Sequence, residues 1–169
     1  MSVNAIQTTG TTLLSQAWLL PIRNQHTVAI GEWEMQHLLD QPLLFDVPHT
    51  PLFCNQVVIW RQKPIPIMDL ACLFTGNQGV NDNPLIAIVA YETRQEEAVE
   101  LGGLLLDAPP KRTQVDDNQA CELPEDTWDW HQLAISCFTE KDGSAVPILD
   151  LHRIFSNRLK TNRAGTIIR

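Results

Sequence analysis

Short apolar runs separated by turn formers dominate the chain. Residues 17–22 (AWLLPI) and 27–31 (TVAIG) flank a polar Arg23-Asn24-Gln25-His26 and predict a first pair of strands. Residues 32–45 are mixed, and Trp33, Met35, Leu38 and Leu39 fit either a helical turn or a bulged strand. Val47-Pro48-His49-Thr50-Pro51 reads as a rigid connector, since neither proline can donate to a sheet ladder. Residues 57–60 (VVIW) and 65–68 (IPIM) predict a hairpin around Arg61-Gln62-Lys63. Asp69 suits the start of the helical turn predicted at 70–74, where its carboxylate can accept unpaired backbone N–H groups.

Residues 75–84 are all loop formers and mark a seam. Residues 85–91 (LIAIVAY) form a continuous apolar strand, and 101–106 (LGGLLL) form another. Gly102 and Gly103 predict a bulge or a close backbone approach. The acidic stretch 113–131 reads as a long loop with one helical turn. Residues 133–138 and 144–149 predict a last hairpin around Lys141-Asp142-Gly143.

One pattern occurs twice. Pro66-Ile67-Met68-Asp69-Leu70-Ala71-Cys72-Leu73-Phe74 and Pro147-Ile148-Leu149-Asp150-Leu151-His152-Arg153-Ile154-Phe155 share five of nine residues, 81 positions apart. Pro66, Asp69, Leu70 and Phe74 thus correspond to Pro147, Asp150, Leu151 and Phe155. Each copy follows a turn and reads as return strand, aspartate, helical turn, which predicts a duplicated unit. Each unit is expected to be a small β-barrel, closed to remove free edges, with a groove where the two pack together.

The net charge of −8 is unevenly spread, with acids concentrated at 92–129 and five bases but no acid at 153–169. An acidic body argues against nucleic acid, because phosphate binding needs a positive surface. The four cysteines, Cys54, Cys72, Cys121 and Cys137, lie far apart, form no Cys-x-x-Cys pair, and are expected to be free thiols. No run approaches the ~20 apolar residues of a membrane helix, and the first ten residues lack a secretory layout, so a cytoplasmic location is expected. No phosphate-cradling loop, Gly-x-Ser-x-Gly or His-Glu-x-x-His is present, which argues against catalysis, and no cofactor or metal is expected. Asp150-x-His152 has no third ligand nearby in sequence, and Glu34-x-x-His37 has helical spacing in a segment not fixed as helix by its pattern.

These segments, in this order, resemble the CheW-like adaptor domain of bacterial chemosensory systems. The likeness rests on Val47-Pro48-His49-Thr50-Pro51-Leu52-Phe53, Val57-Val58-Ile59-Trp60-Arg61-Gln62, Ile65-Pro66-Ile67-Met68-Asp69-Leu70, Gly103-Leu104-Leu105-Leu106-Asp107 and Val146-Pro147-Ile148-Leu149-Asp150-Leu151, and covers roughly residues 17–156. It implies a mainly β fold: two five-stranded SH3-like barrels packed together, with short helical turns and a C-terminal helix. The expected domain is 15–158, with barrel 1 at about 15–76, completed by C-terminal residues if needed, barrel 2 at about 84–155, and flexible tails at 1–14 and 159–169.

The resemblance further implies a non-catalytic scaffold coupling the cytoplasmic tips of chemoreceptors to the regulatory domain of a histidine kinase, in chemotaxis or twitching motility. Arg61 falls on the family's turn arginine, and Met35 on the apolar position of its Val-x-Glu-Ile strand. His37 and Leu38 stand at the glutamate and isoleucine of that strand, and Gln56 and Gln62 replace two glycines. These departures suggest a specialised member, as in a type IV pilus system. Candidate interface residues are therefore Arg61, Gln62, Trp60, Met35, His37 and Leu38. Trp128 and Trp130 either fold back as a lid or project as a docking patch. The alternative reading is a small-molecule-binding barrel or enzyme using the groove, with Cys54, His49 and Asp69 as its polar groups.

Overall fold

In the computed structural model the chain is described over residues 13–93 and 98–156. The expected tails at 1–14 and 159–169 lie outside these residues except for Leu13 and Leu14, and Leu14 already opens a strand. Strands β1 (Leu14–Ile22) and β2 (His26–Gly31) form the first hairpin. A 3-10 turn (Glu32–Glu34) leads to β3 (Met35–Asp40) and β4 (Leu44–Asp46). The hairpin β5 (Gln56–Trp60) and β6 (Lys63–Met68) runs into helix α1 (Leu70–Thr75). Strands β7 (Leu85–Glu92), β8 (Val99–Leu106) and β9 (Lys111–Asp116) follow, then β10 (Ala134–Thr139), β11 (Ala145–Leu149) and helix α2 (Leu151–Phe155).

Two curled sheets result, in the orders β10-β11-β2-β1-β9 and β3-β7-β8-β6-β5-β4. They form half-barrels resembling SH3-like subdomains. The duplication is visible, but strand pairing does not follow the expected division at 15–76 and 84–155. The first unit gives β1 and β2 to one sheet and β3–β6 to the other. The second gives β7 and β8 to the latter and β9–β11 to the former. Each barrel is thus the leading hairpin of one unit closed by the rest of the other. Two parallel contacts fasten the exchange, Ile67↔Gly103 between β6 and β8 and Ile148↔Ala29 between β11 and β2.

This exchange explains the unbroken apolar runs. Along β7, Ile86 and Ile88 face the interior of the second barrel with Val58, Ile65 and Ile67, while Ala87 and Val89 face the layer between the barrels. Strands covered on both faces lose the alternation of a half-exposed strand. The first barrel's interior holds Ala29, Phe138 and Val146. The layer between barrels is the larger core and contains Leu20, Val28, Ile30, Met68, Leu104, Leu106, Trp130 and Leu149.

Both repeat aspartates cap helices in the same way. Cys72 N–H donates to Asp69 Oδ1 at 2.9 Å, and Arg153 N–H to Asp150 Oδ1 at 2.9 Å. Asp69 N–H donates to Phe53 O and Asp150 N–H to Leu133 O, both at 2.7 Å. Their ion partners differ: Asp69 takes Arg23 from the β1–β2 turn, whereas Asp150 takes Arg153 on its own helix at 3.7 Å. Helix α1 ends at Gly76, whose φ of 71° is the left-handed cap a glycine adopts without strain.

One expectation needs correction, and two open alternatives are resolved. The stretch 113–131 is not all loop: β9 pairs with β1 from Leu14↔Asp116 to Leu19↔Lys111. As a polar edge strand it carries little apolar signal. Gly102 and Gly103 mark a close approach and no bulge, since β7 and β8 pair continuously. A Cβ on Gly102 would lie 2.3 Å from the Phe155 ring, and one on Gly103 2.5 Å from Ile67. Trp128 and Trp130 do not project; both are buried between the barrels. Trp128 is sandwiched by His26 and Phe74 at 3.9 and 4.2 Å between ring centroids, and Trp130 donates its indole N–H to Asp126 at 3.1 Å.

Candidate partner-binding surface

The β5–β6 hairpin closes through a two-residue loop between Trp60 and Lys63. Its residues, Arg61 and Gln62, have φ of 49° and 65°, the paired positive values of a type I′ turn. Asparagine and glycine usually fill such positions, so Gln62 carries strain in place of adopting another turn. Gln56 does not: it sits in regular β5, opposite Ile67, and donates to Asp46 at 3.0 Å.

The turn holds Arg61 out to solvent, its guanidinium carbon 4.3 Å from the centre of the Trp60 ring. Trp60 in turn stacks on His37 of β3 at 5.9 Å. Arg61, Trp60, His37 and Gln62 thus gather at one end of the second barrel. Arg61 makes no ion pair among the described residues. A guanidinium set over an aromatic ring gains cation–π attraction while its N–H donors stay available to a carboxylate.

Met35 and Leu38 go elsewhere. The β3–β7 register shifts between Met35 and His37, so both side chains pack on the layer between barrels despite their spacing of three. A bulge re-aims the strand in this way, which resolves the mixed pattern of 32–45 as a 3-10 turn and a bulged strand.

Beside that bulge lies a solvent-open groove of about 530 Å³, lined by Trp33, Glu34, Tyr91, Val99, Ile135 and His152 among others. Trp33 is 88% exposed, Ile135 67% and Val99 66%, so the rim presents apolar side chains to water. Val99 and Ile135 were missed in the sequence because single exposed apolar side chains leave no periodic mark, and Trp33 was legible only as part of the mixed pattern at 32–45. Glu34 Oε2 accepts the Gly31 N–H at 2.6 Å, and burial, aided by the charge of Asp150, pushes its carboxyl above the usual 4.5.

The polar groups of the small-molecule alternative do not converge. Asp69 is occupied by its cap and Arg23, His49 sits on an exposed turn, and Cys54 packs against the core. Among the described residues, no cluster of His, Cys, Asp and Glu is placed to hold a metal. His152 Nδ1 lies 3.1 Å from Glu92 O, and Asp150 is a cap.

Residues 20–159 match the CheW-like domain family. This chain belongs to that family. It is a non-catalytic adaptor of chemosensory signalling. The crystal structure of the scaffolding protein TtCheW from Thermoanaerobacter tengcongensis superimposes with a TM-score of 0.69 at 20% identity, over 92% of this chain and 98% of that one, which establishes the shared fold. No curated protein matches. As a CheW-like chain it has a family whose members work with chemoreceptors and a histidine kinase. No helix among the described residues is long and apolar enough to cross a membrane.

Proposed function

We propose that this adaptor holds the cytoplasmic tips of chemoreceptors against the regulatory domain of a histidine kinase. The observation that carries the reading is the hairpin tip, where Arg61 lies on Trp60 and Trp60 on His37. Trp and Arg are the residues most enriched at energetic centres of interfaces, and here both stand at an exposed end of a barrel. The rim of Trp33, Val99 and Ile135 supports a second, separate contact along the groove. Two surfaces on one rigid body are what a bridging protein requires.

Titration calorimetry with a purified kinase regulatory domain and a receptor-tip fragment tests this. Arg61→Ala is expected to weaken kinase binding at least tenfold, corresponding to about 1.4 kcal/mol. Trp33→Ala is expected to weaken receptor binding and spare the kinase. A wild-type chain that binds neither partner ends the proposal. His37 gives the tip a ring where the family pattern has a carboxylate, and this supports service to a pilus-type system. Tighter binding to flagellar-type than to pilus-type kinase domains would refute that extension.

A further inference from the structure

We propose that Cys121 and Cys137 are a hydroperoxide-oxidisable pair whose disulfide staples the seam of the first barrel. That barrel is an open sheet with β9 and β10 as its edges. The seam between those edges is closed by very little. Ala120 bridges Phe138, Cys121 N–H donates to Cys137 O at 3.0 Å, and the Gln119 amide donates to Thr139 O at 3.0 Å. Cys121 and Cys137 stand directly opposite each other on this seam, with their sulfurs 3.2 Å apart. Opposed antiparallel residues have Cα atoms about 4.5–5.5 Å apart, inside the range a disulfide spans. Beside the seam an opening of about 260 Å³ is lined by Cys137, Phe138, Ala120 and Ile30, so the bond would form at the edge of this opening.

The two thiols differ in a way that divides the chemistry. Cys121 is partly exposed and Cys137 is buried. Burial, then the neighbouring Cys121, pushes the Cys137 thiol up to about 12. Cys121 is therefore the sulfur that meets the oxidant. Its thiol gives up its proton and the thiolate attacks a peroxide oxygen; the O–O bond breaks, and the hydroxide (or alkoxide) takes up that proton and leaves as water (or an alcohol), with a sulfenic acid remaining on Cys121. The Cys137 sulfur then attacks the Cys121 sulfur. The S–S bond forms, the S–O bond breaks, and the hydroxyl leaves as water with the Cys137 proton. Two electrons pass from the thiol pair to one hydroperoxide.

The test treats the full chain with hydrogen peroxide, alkylates residual thiols and maps peptides by mass. A linked Cys121–Cys137 peptide is expected, with Cys54 and Cys72 alkylated, and dithiothreitol should reverse the link. The oxidised chain should melt about 5 °C or more above Cys121→Ser treated identically, since a loop of this length is closed. In Cys137→Ser, dimedone should trap a sulfenic acid on Cys121. Separate alkylation of Cys121 and Cys137 after oxidation, links to Cys54 or Cys72 in their place, or a link without a rise in melting temperature would each overturn the proposal.

Discussion

Asp69 and Asp150 occupy equivalent places in the repeat, yet they should differ in what they contribute. Both cap a helix with one backbone N–H at 2.9 Å, and losing such a cap costs about 1 kcal/mol. Asp69 also holds Arg23, with side-chain exposures of 11% and 19%. Hydrogen bonds to charged groups contribute about 1.5–3 kcal/mol, and partial exposure argues for the lower end. The Asp150–Arg153 pair is longer, at 3.7 Å, and its arginine side chain is 43% exposed, so it contributes about 0.3 kcal/mol. Asparagine caps as well as aspartate but cannot pair with Arg23 as an anion. Asp69→Asn should therefore cost about 1.5 kcal/mol and Asp150→Asn only about 0.3. The corresponding alanine variants should cost about 2.5 and 1.3 kcal/mol. Urea unfolding at neutral pH, with the denaturant slope unchanged, measures all four. In an Arg23→Met background the cost of Asp69→Asn should largely disappear, which isolates the pair. Equal costs for the two asparagine variants would refute the reasoning, because the partner is then irrelevant and the caps are the whole effect.

Gln62→Gly should stabilise the chain by about 0.5–1 kcal/mol by relieving a positive φ, whereas Gln56→Gly should destabilise it, as checked by the same unfolding assay. Gly102→Ala should cost about 1–3 kcal/mol by forcing the Phe155 ring off Tyr91, visible as a lower melting temperature. Glu34 has a folded pKa above its unfolded value, so the folded chain binds the extra proton and its contribution to stability falls as pH rises from about 4.5 through the raised value. Glu34→Gln should flatten that part of the stability profile, and an unchanged profile would exclude the effect. Native alkylation at pH 8 should label Cys121 well before Cys72 and Cys137, whose thiols burial pushes up to about 11 and 12.

Local chemistry was legible in the sequence where one residue sufficed to specify it. The proline-bounded connector, the Arg61-Gln62 turn, the aspartate caps and the hairpin at 57–68 all follow from the conformational limits of their own residues. Strand β9 was not legible, because Lys111, Arg112 and Gln114 lie on an edge where burial selects almost nothing. The hairpin exchange was hidden for a different reason. Apolar runs such as 85–91 announce that both faces are covered but carry no mark of the covering strand. The candidate interface was legible only in part: Trp60, Arg61 and Gln62 are contiguous, but His37 joins them only through the curl of the sheet. The β3 bulge turns Met35 and Leu38 inward together, a consequence of one extra residue in the ladder that no alternation count distinguishes from a helical turn.

The exchange of hairpins bears directly on adaptor behaviour. Had each unit closed its own barrel, the two barrels would be beads on the 75–84 linker, and the groove between them could open and shut. Here the chain crosses between sheets after β2, through the three-residue turn Glu32–Glu34, and again after β8, within the few residues before Lys111. Separating the two units would require breaking the parallel contacts Ile67↔Gly103 and Ile148↔Ala29, each inside one barrel, and separating the barrels would expose the layer that buries Trp128 and Trp130. The first crossing itself lines the groove, since Trp33 and Glu34 belong to it. The shape of the groove is thereby fixed by the same segments that fix the barrels' relative orientation. A partner seated on the groove and a partner seated on the Arg61 tip would meet one body of constant geometry, joined to each other by position alone.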